Sequence, residues 1–99
     1  MKKKLVAAVK ERSHGYCEIC GSNQGIELHH IVFGRGARTE CENEYSVIAL
    51  CRECHRGDYG VHFNKKLDLK LKLNLQRKYK SLGYTEKEIR ELMGGKLYE

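Results

Sequence analysis

The stretch Cys51-Arg-Glu-Cys54-His55 decides how this chain folds, because it repeats the spacing of Cys17-Glu-Ile-Cys20. Two cysteines separated by two residues lie on one tight turn, and two such turns supply four thiolates to a tetrahedral Zn²⁺ at roughly 2.3 Å. A single Cys-x-x-Cys also occurs in redox motifs, whereas two on one short chain predict zinc, with four metal-free thiols as the alternative. We therefore expect one structural Zn²⁺ held by Cys17, Cys20, Cys51 and Cys54.

The length and charge of the chain limit its architecture and its partners. It has 99 residues and a formal net charge of +6. A domain of this size buries little more than ~60% of its unfolded surface and usually needs additional stabilisation, such as a bound metal. The apolar run Leu5–Val9 is shorter than a signal peptide requires, and no run is long enough to cross a membrane. We therefore predict one domain in a reducing, intracellular (cytoplasmic) setting, with no membrane association and with nucleic acid as the favoured partner.

Hydrophobic periodicity divides the first half of the chain into elements. Residues 3–13 carry apolar side chains at helical spacing, and Gly15 can provide the C-terminal cap. Two β-rich runs, Ile26–Phe33 and Tyr45–Leu50, predict a hairpin, and the aperiodic segment 34–44 predicts a connecting loop. We expect a further helix to begin near the second cysteine pair.

The segment 65–82 is compatible with two structures. Its leucines alternate strictly from Leu67 to Leu75, which indicates a strand, but every second one of them also falls on a single helical face. Because the segment contains no β-branched residue, glycine or proline, we favour a helix. The sequence Thr85-Glu-Lys-Glu88 is a capping box that begins another helix. Together these helices predict a C-terminal helical extension over about 65–94.

Histidines and an amide surround the cysteine pairs in a recognisable order. The first pair is followed by Leu28-His29-His30-Ile31 and by Asn43, and Leu50-Cys51-x-x-Cys54-His55 completes the pattern. Over roughly residues 15–62 this arrangement resembles the HNH endonuclease family. The resemblance implies an α+β fold with a ββα-metal (His-Me finger) core and zinc knuckles, flanked by an N-terminal helix and C-terminal helices in one nuclease domain spanning 1–99.

The resemblance also implies roles for individual residues. His30 matches the general base and Asn43 the middle residue of the motif. His29, at a position where many members have aspartate, and His55 match ligands of a catalytic divalent ion. Some relatives have one more histidine four residues after the last ligand, whereas here the next histidine is His62, which is left open as a third ligand.

The chemistry of phosphodiester hydrolysis requires the same residue types. A base with a near-neutral pKa must activate water, which histidine provides, and a cation must balance negative charge on the phosphate oxygens. Adjacent strand residues point to opposite faces, so we expect His29 and His30 to divide the roles of ligand and base. Two or three imidazoles can accept Mg²⁺, Mn²⁺, Ni²⁺ or Zn²⁺.

These features predict an endodeoxyribonuclease that nicks DNA, or cuts both strands if it forms a homodimer, in a setting such as phage or restriction machinery. Arg35 and Arg38 lie in the glycine-containing connection beside the predicted site, and we expect both to contact DNA phosphates. Cys41 lies outside both pairs and is expected not to bind zinc. The alternative function is a non-catalytic zinc-ribbon nucleic-acid-binding module, which would need no base beside a metal.

Overall fold

The computed structural model describes residues 1–34 and 36–99, so Arg35 and the phosphate contact expected of it lie outside the described residues. The fold is a small α+β arrangement of helices and one two-stranded antiparallel sheet, as the sequence predicts. Its elements follow in the order α1 (Lys3–Ser13), β1 (Glu27–His30), α2 (Ala37–Glu40), β2 (Val47–Leu50), α3 (Arg52–Arg56), α4 (Lys65–Ser81) and α5 (Glu86–Leu92). Within the described ranges, no helix is both long and apolar enough to cross a bilayer.

The hairpin separates two apolar clusters. The antiparallel register pairs Glu27 with Leu50 and His30 with Val47. Side chains alternate across a strand, so Val47 packs with Val9 of α1 on one face, whereas Leu50 joins the larger core on the other. The same alternation puts His29 of β1 on the face of Leu50 and His30 on the face of Val47.

The C-terminal helices confirm the helical interpretation of residues 65–82. Asn64 caps α4 by accepting a hydrogen bond from the N–H of Leu67, and the buried residues of α4 are Leu71, Leu75 and Tyr79. Leu69 remains 38% exposed, because only every fourth position of a helix faces the core. At α5 the predicted capping box is present, with Thr85 and Glu88 exchanging hydrogen bonds.

The connection between the strands differs from the predicted loop, because residues Ala37–Glu40 form one helical turn. This turn is closed by a hydrogen bond of 2.8 Å from the N–H of Cys41 to the carbonyl of Ala37. The chain near Gly94 packs closely on it, since a Cβ at Gly94 would lie 3.5 Å from the Ala37 side chain. This turn packs against residues more than fifty positions later in the chain, so the local pattern of apolar residues did not predict it.

The boundaries of other elements also shift. The left-handed residue that caps α1 is His14, with φ 55°, and Gly15 follows it in the same region of backbone space. Both strands are shorter than the β-rich runs of the sequence. Beyond the strands, the N–H of Ile31 still donates to the carbonyl of Ser46 at 2.8 Å, so the hairpin continues as a less regular pair of segments.

Candidate metal centres and the histidine site

The four paired cysteines converge on one point, with all their Sγ atoms within 4.8 Å of one another. Cys51 is the N-cap of α3, and its sulfur accepts a hydrogen bond from the N–H of Cys54 at 3.4 Å. The first pair lies on a matching turn, where the N–H of Ile19 donates to the sulfur of Cys17 at 3.4 Å. Four converging sulfurs, two of which accept N–H hydrogen bonds, form a donor set that fits structural Zn²⁺.

Burial and hydrogen bonds give these four thiols, which we call the cysteine cluster, different pKa values. Burial alone would raise the pKa of Cys17, but N–H groups of Cys20, Cys51 and Ile19 stabilise its thiolate and lower the pKa to about 6. Burial and then the neighbouring thiols raise the pKa of Cys54 well above its ordinary value. Negative charge is thus favoured on one sulfur and opposed on another, a conflict that a bound cation would relieve.

Cys41 lies apart from the cysteine cluster, in agreement with its expected exclusion from zinc binding. Its side chain is buried, and its thiol donates to the carbonyl of Glu91 at 3.5 Å. Burial raises the pKa of this thiol, which keeps it protonated and unreactive near neutral pH. It therefore belongs to the core contact between the hairpin connection and α5.

A second convergence joins three histidines, which we call the histidine cluster: the ring nitrogens of His29, His55 and His62 lie within 4.8 Å of one another. His29 comes from β1 and His55 from α3, directly after the second cysteine pair. The Nε2 atoms of His55 and His62 are 2.9 Å apart. Three imidazole donors at this separation are suited to a single divalent ion.

Two glycines bring His62 into the histidine cluster. The segment after α3 doubles back on the helix, with hydrogen bonds from Val61 N–H to the carbonyl of Cys54 at 2.7 Å and from His62 N–H to that of His55 at 3.3 Å. An added Cβ would lie 2.6 Å from the Glu53 carbonyl oxygen at Gly57, and 2.5 Å from it at Gly60. Because Gly57 and Gly60 have no Cβ, the segment can return close to α3 and bring His62 to the other two histidines.

His29 contributes the most deeply buried ring of the three. Its side chain is 5% exposed, and its Nε2 has no hydrogen-bond partner among the described residues. Burial, followed by the nearby His55 and His62, lowers its pKa to about 3, so the ring is neutral at physiological pH. Buried polar atoms are normally satisfied, and a cation bound by the three rings would satisfy this one.

Glu27 orients His55, a role that sequence reasoning missed. Its Oε1 lies 2.8 Å from His55 Nδ1, so a proton on Nδ1 leaves the lone pair of Nε2 facing the other imidazoles. Arg56 pairs with the same carboxylate, and the hydrogen bond from His55, followed by the one from Arg56, lowers the pKa of Glu27. The signal was present in the sequence, because Glu27 precedes His29 by two strand positions and shares its face.

His30 lies outside the histidine cluster, because it follows His29 on β1 and its side chain therefore points to the opposite face. Its Nε2 lies 2.6 Å from Oε2 of Glu42, and both side chains are 16% exposed. A carboxylate in this position accepts a hydrogen bond from Nε2–H, which leaves the lone pair of Nδ1 free to take up a proton. Glu42 could not be identified from spacing, because its position depends on the unpredicted turn α2.

Asn43 organises the loop next to this pair. Its Oδ1 accepts hydrogen bonds from the N–H groups of Tyr45 and Ser46 at 2.8 and 3.1 Å, and its Nδ2 donates to the hydroxyl of Tyr79 at 2.9 Å. Among the described residues it makes no hydrogen bond to His30. Asn43 therefore fixes the loop, and Glu42 rather than Asn43 contacts the histidine.

Arg38 lies exposed on α2, on the side of the histidine cluster. Its positive charge is among those that lower the pKa of His62, after burial and the adjacent His55. A cation whose charge acts on these imidazoles can attract an anionic ligand without occupying the metal position. The DNA contact expected of Arg38 stays a prediction.

No family model, no curated protein and no solved structure matches this chain. The resemblance to HNH nucleases is therefore confined to the motif residues themselves. The geometry of the cysteine and histidine clusters is therefore the basis for assigning a function.

Proposed function

We propose that this protein is a metal-dependent HNH-type endonuclease with a ββα-metal core, which hydrolyses phosphodiester bonds of DNA. One observation carries the proposal. Three imidazoles converge where the buried Nε2 of His29 has no hydrogen-bond partner among residues 1–34 and 36–99, while the adjacent His30 faces away and pairs with a carboxylate. A module that only binds nucleic acid has no use for this division. The cysteine cluster would hold a structural Zn²⁺ beside it.

In this proposal the residues divide the work of hydrolysis. A divalent ion such as Mg²⁺, Mn²⁺, Ni²⁺ or Zn²⁺, held by His29, His55 and His62, would supply positive charge for the phosphate oxygens. His30, oriented by Glu42, takes a proton from the attacking water at Nδ1. Asn43 holds the connecting loop, and so keeps Glu42 in reach of His30.

The charge of the whole chain favours DNA as the substrate. A formal net charge of +6 attracts a polyanion, and Arg38 lies close to the proposed metal position. One histidine cluster per chain cuts one strand at a time, so nicking needs a single copy and double-strand cleavage needs a homodimer. Small nucleases of this kind suit phage or restriction machinery.

A plasmid-nicking assay with added Mn²⁺ tests the proposal. His30→Ala should lower the cleavage rate by on the order of 10²–10⁴, the usual contribution of a positioned base, without changing Mn²⁺ affinity. His29→Ala should instead weaken Mn²⁺ binding and recover part of its activity at high Mn²⁺ concentration.

The control is His14→Asn, which removes the remote fifth histidine and places at its left-handed position a residue that tolerates it. This variant should cleave like the wild type. If the wild-type protein binds DNA but leaves plasmid intact with each of the four metals, the zinc-ribbon binding module is the correct function. If Mn²⁺ rescues His30→Ala but never His29→Ala, the two roles are reversed.

A further inference from the structure

Three exposed aromatic side chains accompany the histidine cluster, one in contact with His29 and two close to His62 in the chain. Phe33 is 44% exposed, Phe63 71% and Tyr59 88%. Phe33 follows β1 closely, and the other two flank His62 in the segment between α3 and α4. Aromatic rings are usually buried for their large apolar area, so several exposed rings around one site indicate a binding surface. We call these three residues the aromatic rim.

Phe33 of the aromatic rim lines a cleft that reaches the histidine cluster. It has a volume of about 240 Å³ and is lined by His29, Phe33, Val61, His62, Lys65 and Asp68. The ring centroids of Phe33 and His29 are 6.3 Å apart. The ammonium of Lys72 lies 4.4 Å from the centre of the Phe33 ring and is held there by Asp68 at 2.8 Å. The cleft therefore combines an aromatic wall, ammonium groups and a route to the imidazoles.

We infer that the aromatic rim binds unpaired bases of a DNA strand whose phosphate occupies this cleft, so that the protein prefers single-stranded DNA to duplex DNA. The inference rests on the proposed function for the position of the phosphate. In a duplex the flat faces of the bases are stacked on one another, whereas unpaired bases can stack on protruding aromatic rings. The small cleft admits a single strand more readily than it admits a double helix.

Charge favours this occupant over a second copy of the chain. Lys65 and Lys66 begin α4 two residues after Phe63, and the chain as a whole carries a formal net charge of +6. Contact between two identical basic surfaces would bring like charges together, whereas a DNA strand brings phosphates to the lysines and bases to the rings.

The test compares binding of a fluorescent oligothymidine with binding of a hairpin duplex of matched length. Protein carrying one equivalent of Zn²⁺, enough for the cysteine cluster alone, is used with no further divalent ion, so that affinity is measured without cleavage. The wild type should bind the single strand more tightly than the duplex. Phe63→Ala and Tyr59→Ala should each weaken single-strand binding on the order of tenfold and leave duplex binding unchanged.

Two further variants separate stacking from other effects. Phe63→Leu keeps apolar area but removes the π face, so it should lose single-strand affinity like Phe63→Ala. Tyr84→Leu is the matched control, since Tyr84 is 41% exposed beside Arg77 and Lys80 at the opposite end of α4, and it should bind like the wild type.

The inference is overturned if the wild type binds both oligonucleotides equally, or if Phe63→Leu retains full single-strand affinity. It is also overturned if sedimentation shows that the rim variants abolish a dimer without changing DNA affinity. The plasmid assay reports separately on the proposed function. If the rim variants lose single-strand affinity but the wild type cleaves no plasmid, the nuclease is rejected and the single-strand surface is kept. If the wild type cleaves plasmid and the rim variants keep full single-strand affinity, the nuclease is kept and the single-strand surface is rejected.

Discussion

Three histidines of the site differ in their hydrogen-bond partners, and the partner decides what each ring can do. His55 is oriented by Glu27 and His30 by Glu42, whereas His29 Nε2 has no partner among the described residues. A carboxylate on one ring nitrogen directs the lone pair of the other nitrogen outward. Glu27 therefore directs Nε2 of His55 into the histidine cluster, and Glu42 leaves Nδ1 of His30 free to act as a base.

At the residue scale, we predict that Glu27→Gln weakens binding of Mn²⁺ to the histidine cluster roughly 10–100-fold, because an amide orients His55 less strongly than a carboxylate does. The measurement is the free Mn²⁺ signal in electron paramagnetic resonance during a titration of zinc-loaded protein. Glu86→Gln, on the first turn of α5, is the control and should bind Mn²⁺ normally. Equal affinities for the two variants would contradict the orienting role of Glu27.

The buried ring of His29 predicts a pH dependence of stability when no divalent ion is added. Its pKa is about 3 in the fold, against an ordinary value of 6.5, because burial and then the neighbouring His55 oppose its charge. As the pH falls below 6.5 the unfolded chain takes up a proton that the folded chain excludes, so the free energy of unfolding decreases.

Urea unfolding at about pH 7 and about pH 5.5 measures this effect. The wild type should lose more stability over this interval than His29→Gln, which carries no titrating group at that position. Zinc content is measured at both pH values to confirm that the cysteine cluster stays loaded. Identical losses for the two proteins would show that His29 is solvated and free to protonate.

At the scale of elements, the site depends on how two short segments return to the hairpin. The segment after α3 folds back through Gly57 and Gly60, and the connection between the strands folds back through α2 and the Asn43 loop. Helix α4 supports the second return, since the hydroxyl of its buried Tyr79 accepts the hydrogen bond from Asn43. The C-terminal helices thus position the site although they contribute no residue to either cluster.

Gly60→Ala should separate His62 from the other two histidines. A Cβ at Gly60 would lie 2.5 Å from the carbonyl oxygen of Glu53 and 3.0 Å from that of Cys54, so the returning segment must move away from α3. We expect a loss of about 1–3 kcal/mol in the free energy of unfolding, as for other overpacked sites, together with weaker Mn²⁺ binding.

Gly15→Ala is the matched control for this change, because Gly15 has φ 78° and open space around its position. It should lose about 1 kcal/mol from backbone strain and keep its Mn²⁺ affinity. Urea unfolding and the Mn²⁺ titration measure both quantities. Unchanged Mn²⁺ binding by Gly60→Ala would mean that His62 is not needed as a ligand.

At the scale of the whole molecule, the cysteine cluster connects the segment after α1 to the start of α3. Two apolar clusters pack on the two faces of a hairpin with strands of four residues each, which is little core for 99 residues. A metal that binds only the folded state adds its binding free energy to stability. We therefore infer that structural Zn²⁺ stabilises the fold as well as the turns around it.

Metal analysis of the purified protein should find about one tightly held zinc, and its removal should unfold the hairpin. Cys54→Ser should lose this zinc and most of the cooperative unfolding transition, whereas Cys41→Ser should keep the zinc and lose only core packing. Circular dichroism and zinc content report the two effects. The assignment is wrong if Cys41→Ser releases the zinc and Cys54→Ser retains it.

The sequence by itself determined the features that depend on local spacing. Each Cys-x-x-Cys placed two thiols on one turn, and the absence of β-branched residues from 65–82 selected a helix despite strictly alternating leucines. The alternation of side chains on a strand likewise separated His29 from His30. Each of these follows from the geometry of a single turn, helix or strand, which neighbouring residues alone dictate.

Only the tertiary structure decided which distant residues complete the site. His62 joins the histidine cluster because two glycines allow a close return to α3, and Glu42 reaches His30 because α2 packs under the chain near Gly94. These contacts join residues that are far apart in the chain or separated by an irregular turn, so no periodicity encodes them. Their formation depends on the core and the cysteine cluster, which fix where the turns lie relative to the hairpin.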